Sequence, residues 1–147
     1  LGGVRSPRLE AEVLLKKAAG MEREENVFSP HFRDAILGSK EMFWEYLSRR
    51  RNNEPLSYIT KTKDFYNNTF HVTPSTLIPR PETELLVDVS LSLLPKDTAT
   101  NNTSVLELGV GSGCVIISIL NEREVVGIGV DTSQGALGVT RENGERI

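Results

Sequence analysis

The residues best suited to chemistry stand together in the last third of the 147-residue chain. Gly109, Gly111 and Gly113 alternate in the run Gly109-Val110-Gly111-Ser112-Gly113, directly after the apolar stretch Val105-Leu106-Glu107-Leu108. Alternating glycines between a strand and a helix let bare main chain lie against a ligand, and glycine tolerates the left-handed backbone such a bend needs. The start of the following helix adds N–H groups that have no partner within the helix. A second apolar run, Val125 to Val130, ends at Asp131, 18 residues after Gly113. A carboxylate in that place can accept hydrogen bonds from two ribose hydroxyls. Bend, helix and strand-end acid together describe a site for a nucleoside-containing cofactor.

Spacing narrows the choice of cofactor. A dinucleotide fingerprint needs G-x-G-x-x-G, and counting from Gly109 and Gly111 the third glycine would fall on Cys114. The chain has G-x-G-x-G instead, with Glu107 two residues ahead of it. No Gly-Lys-Ser/Thr follows, which excludes a phosphate-binding Walker loop. Acid, alternating glycines and a second acid resemble the S-adenosylmethionine site of class I methyltransferases. The bland alternative for Glu107 is a strand-end acid that caps the neighbouring helix.

Elements that would position these residues can be read outward from the bend. Strand, bend, helix from Val115 to Leu120, strand, and a further helix from about Ser133 make a β-α-β-α order, the opening of a parallel sheet. Gly135, Gly138 and Gly144 fall in that last helix, and each costs about 1 kcal/mol against alanine, which predicts a weak element. Lys96 to Ser104 reads as a polar linker. Before it, a helix beginning near Pro81-Glu82 is expected to bury Leu85, Leu86, Val89 and Leu93. Phe65-Tyr66, a turn at Asn67-Asn68, then Phe70 and Val72 predict a β-hairpin. Residues 5–51 read as a compact helical bundle. Ser6-Pro7 and Ser29-Pro30 are start signals, Leu9, Val13 and Leu14 form one stripe, and Gly20 is a stop. Met42, Phe43, Tyr46 and Leu47 form a second stripe between Ser39 and Arg51. The expected divisions are a helical domain over 1–54, a linker with the hairpin over 55–80, and an α/β domain from 81 to 147.

Composition sets the broad class. Hydrophobic residues make up 38% and charged residues 25%, as in a soluble globular protein. No apolar run approaches the roughly 20 residues that span a bilayer, and the N-terminal residues do not form a signal peptide. Cys114 is the only cysteine, which excludes an intrachain disulfide and makes a cytoplasmic setting the default. No metal site is expected. The net charge of −3 is unevenly spread: residues 1–63 carry 12 Lys+Arg against 9 Asp+Glu, the remainder 5 against 11. A mildly basic front half is more simply a set of solvated helix faces than a nucleic-acid footprint.

Four stretches resemble one family closely, the HemK/PrmC protein-(glutamine-N5) methyltransferases, which modify peptide-chain release factors. They are Ser6-Pro7-Arg8-Leu9-Glu10-Ala11-Glu12, Glu54-Pro55-Leu56-Ser57-Tyr58-Ile59-Thr60, Thr76-Leu77-Ile78-Pro79-Arg80-Pro81-Glu82-Thr83-Glu84, and the glycine bend with Arg141-Glu142-Asn143. The resemblance implies a class I, Rossmann-like methyltransferase domain, truncated, preceded by a small helical substrate-recognition bundle. It implies that Gly109, Val110, Gly111, Ser112 and Gly113 wrap S-adenosylmethionine, that Asp131 holds its ribose, and that Glu107 and Thr83 also contact the cofactor. It places Arg80 and Pro81 near the substrate, the glutamine of a release factor's Gly-Gly-Gln loop. Val110 departs from the family, where a small polar residue is usual.

The implied reaction moves a methyl group from a sulfonium to an amide nitrogen. That nitrogen is a weak nucleophile, because its lone pair is shared with the carbonyl, so the enzyme must hold and align it. The family uses an Asn-Pro-Pro-Tyr motif for this, and no Asn-Pro pair occurs in the sequence. The catalytic motif is therefore expected beyond the C-terminus, with the chain by itself inactive. Two other readings compete: an amino-methyltransferase acting on DNA or RNA, and an inactive fragment or release-factor-binding module.

Overall fold

A computed structural model describes residues 6–21, 30–95 and 103–147, without the side chains of residues 30–33. Ser29 and most of the polar stretch after Lys96 lie outside these residues. The chain divides into two compact units, Leu1–Thr60 and Lys61–Ile147.

The first unit is helical. Helix α1 spans Pro7–Ala18 and starts with proline at its first position, as the Ser6-Pro7 signal predicts, although the Ser6 side chain makes no capping bond. It ends where Met21 N–H closes onto Lys16 O at 3.0 Å and Gly20 N–H onto Lys17 O at 3.3 Å, the paired bonds that satisfy final carbonyls of a helix. Helix α2 runs over Pro30–Arg51, well beyond the Ser39–Arg51 stretch that carries the apolar stripe. A short helix, α3 at Leu56–Thr60, falls in the stretch expected to be a linker. These three helices pack on one another, with Leu14 and Ile59 buried at 1% exposure. Leu9 and Met42, by contrast, are exposed. Two-pronged ion pairs brace the unit: Arg50 Nε donates to Glu10 Oε2 at 2.6 Å and Arg49 Nε to Glu54 Oε2 at 2.8 Å.

The second unit opens with a hairpin of β1, Thr62–Phe65, and β2, Asn68–His71, paired antiparallel with Phe65 opposite Asn68. The two-residue turn is therefore Tyr66-Asn67, one residue earlier than the Asn67-Asn68 expected. Both turn residues have positive φ, 45° and 63°, the backbone that matches the strands' twist. Tyrosine rarely adopts it; here Tyr66 N–H donates to Glu84 Oε1 at 3.2 Å and its hydroxyl to Asp88 Oδ1 at 2.8 Å. Tertiary bonds thus override the local preference for asparagine.

A 3-10 turn at Pro81–Thr83 leads into α4, Glu84–Leu93. The buried side of α4 is not the one expected. Val87 is fully buried and Leu91 and Leu94 pack beside it, while Leu85, Leu86, Val89 and Leu93 are exposed. Leucine and valine occupy both sides of this helix, so its period cannot choose a face.

Strand β3, Ser104–Leu108, helix α5, Cys114–Glu122, and strand β4, Val126–Val130, form a parallel βαβ unit in register Ser104 to Val126 through Leu108 to Val130. Helix α6, Gln134–Arg146, follows, with the Ser133 hydroxyl accepting from Ala136 N–H at 3.2 Å. The mixed α/β order from 104 onward is the expected one. The strands are covered on one face only. Gly127 and Gly129 face α5 and the bend: a Cβ on Gly127 would stand 2.8 Å from Leu120 Cδ1, and one on Gly129 2.7 Å from Val110 Cγ2. The opposite face carries Leu106, Leu108, Val126, Ile128 and Val130, all exposed. One core joins Phe65, Phe70, Val87, Val110 and the α5 residues Val115, Ile116, Ile117 and Ile119.

Candidate functional site

The bend is shaped by its contacts with the end of β4. Val130 O accepts from both Gly109 N–H, 2.8 Å, and Val110 N–H, 3.0 Å, and Val110 O accepts from Gly113 N–H at 2.8 Å. Gly109, Gly111 and Gly113 all have positive φ, 74°, 56° and 80°. Their surroundings differ. A Cβ on Gly109 would meet nothing within 4 Å, and one on Gly111 only Gly109 O at 3.9 Å, so main chain lies open there. A Cβ on Gly113 would strike Ile117 Cδ1 at 2.7 Å. Gly113 is a packing glycine that begins α5, and the two before it border free space.

Asp131 faces this bend. Its Oδ2 accepts from Gly111 N–H at 2.9 Å and its Oδ1 from Ser133 N–H at 2.9 Å. Those two N–H groups, Ser133 first and Gly111 second, hold its carboxyl below the usual aspartate range, so it is ionised at neutral pH. Each oxygen retains a further lone pair for a hydroxyl donor.

Glu107 lies on the covered face of β3 and reaches the start of α5, where its Oε2 accepts from Ile116 N–H at 2.9 Å. It thereby caps one of the helix's unpaired donors. Burial pushes its pKa up to about 7, against the opposing pull of the Ile116 N–H. Folded protein binds this proton more tightly than unfolded chain, so stability from this group falls as pH rises from about 4.5 to about 7. Glu107→Gln keeps an oxygen for Ile116 and removes the charge. It is expected to melt higher than the unaltered chain at pH 8, by on the order of 1–2 kcal/mol after allowance for nearby water, and no higher at pH 4. Equal melting at pH 8 would show that the carboxylate is already well solvated.

Val110 and Ser112 turn inward. Val110 is 2% exposed and fills the space over Gly129, and its N–H is used by Val130. Ser112 is also buried, and its hydroxyl lies beside the Cys114 thiol, whose pKa burial raises to about 11. Arg80 and Pro81 are exposed, and Thr83 N–H donates to Arg80 O at 3.0 Å. Among the described residues no hydrogen bond or ion pair joins Arg80, Pro81 or Thr83 to the bend. The structure brings together Glu107, Gly109, Gly111 and Asp131. A separate depression of about 570 Å³ lies beside the hairpin turn, lined by Asp64, Tyr66, Asn68 and Glu84 among others; it shares no residue with the bend. Among the described residues there is no cluster of three or more His, Cys, Asp or Glu side chains able to hold a metal, and no helix long and apolar enough to cross a membrane.

Sequence reasoning missed the side chains behind the bend. Thr140 Oγ1 donates to Gly111 O at 2.9 Å, and fully buried Asn143 donates to Ser112 O at 2.9 Å. Their signal was a polar residue on the buried stripe of α6, in step with Ala136 and Val139.

Residues 2–60, nearly coincident with the first unit, match the PrmC N-terminal domain family. The chain is 38% identical to the release factor glutamine methyltransferase of Caulobacter vibrioides over 99% of its own length and 49% of the relative's. It is 37% identical to that of Nitratidesulfovibrio vulgaris, over 97% and 47%, and 32% identical to that of Escherichia coli, over 97% and 50%. The mixed helix and strand content of the chain fits an α/β methyltransferase fragment. Over the residues it contains, it belongs to the HemK/PrmC family of release factor glutamine methyltransferases. The chain spans about half the length of the curated relatives it matches.

Proposed function

We infer that the second unit is the cofactor-binding part of a class I, Rossmann-like S-adenosylmethionine-dependent methyltransferase whose substrate is the glutamine amide of a release factor. The observation that carries this reading is the meeting of Asp131 with the open backbone at Gly109 and Gly111, joined by the 2.9 Å bond to Gly111 N–H. The residues fit the cofactor. An ionised carboxylate suits ribose hydroxyls, the uncovered glycine main chain admits close approach of the amino-acid portion, and Glu107, which caps the start of α5, helps to set the bend. S-adenosylmethionine supplies an electrophilic methyl group when bound.

The chain's own residues bind and orient. Asp131 fixes the ribose, Gly109 and Gly111 set the depth of approach, and Ser112 and Gly113 shape the turn while the Val110 side chain supports it from below. Thr83 is assigned to the cofactor's methionine end, and Arg80 and Pro81 to the Gly-Gly-Gln loop of the release factor, with the first unit as its recognition surface. The sequence contains no Asn-Pro pair, so no residue here is assigned to hold the acceptor amide. A nucleic-acid substrate is disfavoured, because Lys16, Arg49 and Arg50 are paired with Glu12, Glu54 and Glu10 and leave no continuous basic patch among them. A release-factor substrate places the protein in the cytoplasm.

The test is competition binding to the 147-residue chain. Labelled S-adenosylmethionine is expected to be retained and to be displaced by S-adenosylhomocysteine but not by NAD. Displacement by NAD at equal concentration, or no retention, would end the assignment.

A further inference from the structure

Behind the bend, two side chains of α6 grip two successive main-chain carbonyls. Thr140 Oγ1 donates to Gly111 O at 2.9 Å, and Asn143 Nδ2 donates to Ser112 O at 2.9 Å. Asn143 has no exposed surface, and all its polar atoms are engaged. Its Nδ2 also donates to His71 O at 3.0 Å, and its Oδ1 accepts from His71 N–H at 2.7 Å. One amide therefore ties both main-chain groups of a β2 residue to the bend. In a planar trans peptide the N–H points opposite to the C=O. Holding Gly111 O toward α6 consequently turns Ser112 N–H to the other side of the bend, and holding Ser112 O turns Gly113 N–H toward its observed acceptor, Val110 O.

We propose that Thr140 and Asn143 are positioning residues for the cofactor site, setting the peptide planes of Gly111 and Ser112 so that the bend presents one fixed main-chain surface. Asn143 also makes that surface depend on the hairpin. The proposal rests on the cofactor reading above. Without such struts, a run of three glycines would sample several backbone states, and ligand affinity would fall with the fraction in the competent one.

Two substitutions separate the hydroxyl from the packing, because Thr140 offers the bend both a hydroxyl and the methyl that approaches Gly113. Thr140→Val keeps the bulk and loses the donor; Thr140→Ser keeps the donor and loses the methyl. S-adenosylmethionine binding to the full chain is measured by calorimetry well below the melting transition, where all variants are folded. The valine variant is expected to bind about three- to tenfold more weakly, the worth of one buried hydrogen bond, and the serine variant within about twofold of the unaltered chain. Weak binding by serine with normal binding by valine would assign the effect to packing and overturn the proposal. Normal binding by both would overturn it as well. No binding by the unaltered chain would remove the cofactor reading, and this proposal with it. Should the valine variant not fold, the unaltered chain carries the test: saturating S-adenosylmethionine is expected to shift the Asn143 side-chain NH2 resonances. An unmoved pair would overturn the proposal.

Discussion

Asp131→Ala is expected to weaken S-adenosylmethionine binding by about 100-fold or more. Hydrogen bonds from ribose hydroxyls to an ionised carboxylate are of the stronger, charge-assisted kind, and alanine removes both. The substitution also frees Gly111 N–H and Ser133 N–H, the two groups that hold the carboxyl ionised. Loosening of the bend adds to the loss. Because the carboxyl is held below its ordinary value, its contribution to stability is complete above about pH 4 and declines only as pH falls through the folded value. The variant's melting temperature should therefore lie below that of the unaltered chain at pH 7 and approach it as pH falls below the carboxyl's depressed folded-state value. Asp131→Asn, which retains one acceptor oxygen, should fall between the two in affinity. Calorimetric affinities within threefold of one another for all three proteins would show that the strand-end acid serves only as a helix cap.

Gly113→Ala is expected to cause the largest loss of stability, about 2–4 kcal/mol, seen as a fall in melting temperature of roughly 5–10 °C. Two costs add. An alanine at φ 80° sits in left-handed backbone, and its Cβ would lie 2.7 Å from Ile117 Cδ1 and 3.0 Å from Thr140 Cγ2. Ile117 is buried in the core beside Val115 and Ile116, so turning its terminal methyl aside repacks that region. Gly109→Ala is the matched contrast. Its backbone is equally left-handed, but a Cβ there meets nothing within 4 Å. That variant should lose only about 1 kcal/mol while placing a methyl group where the cofactor is proposed to lie. Thermal melts and binding titrations on the pair should diverge, with Gly113→Ala failing chiefly in the first and Gly109→Ala in the second. Equal melting temperatures for the two would mean that the crowding at Gly113 is relieved at little cost.

How much of this was legible beforehand depended on whether a local signal had one solution. Pro7 at a helix start, Gly20 at its end, and the strand, bend, helix, strand order around Gly109–Gly113 each had one, and the structure has all of them. The sides of α4 had two, because Leu85 and Val89 on one side are as apolar as Val87 and Leu91 on the other. The hairpin turn slipped by one residue because asparagine's tolerance of positive φ outweighed tyrosine's on paper, whereas two bonds from α4 hold Tyr66 in place. At the site, Gly109, Gly111, Glu107 and Asp131 were legible as types at a spacing. That Gly113 serves packing, that Val110 faces the core, and that Thr140 and Asn143 brace the bend are facts of α6 and the hairpin, whose positions no periodicity encodes. Gly127 and Gly129 were passed over for the same reason: only the approach of Leu120 and Val110 explains why that strand carries no side chains there.

The bend takes three of its hydrogen bonds from the last residue of β4 and from Asp131 next to it. It therefore has no shape of its own while the chain is being made. Until some 20 residues beyond Gly111 have emerged and the second strand has docked beside the first, those N–H groups are solvated and the glycines are free. Pairing of the strands and creation of the ligand cradle are one event, and a ligand that occupies the cradle lends its binding energy to the pairing.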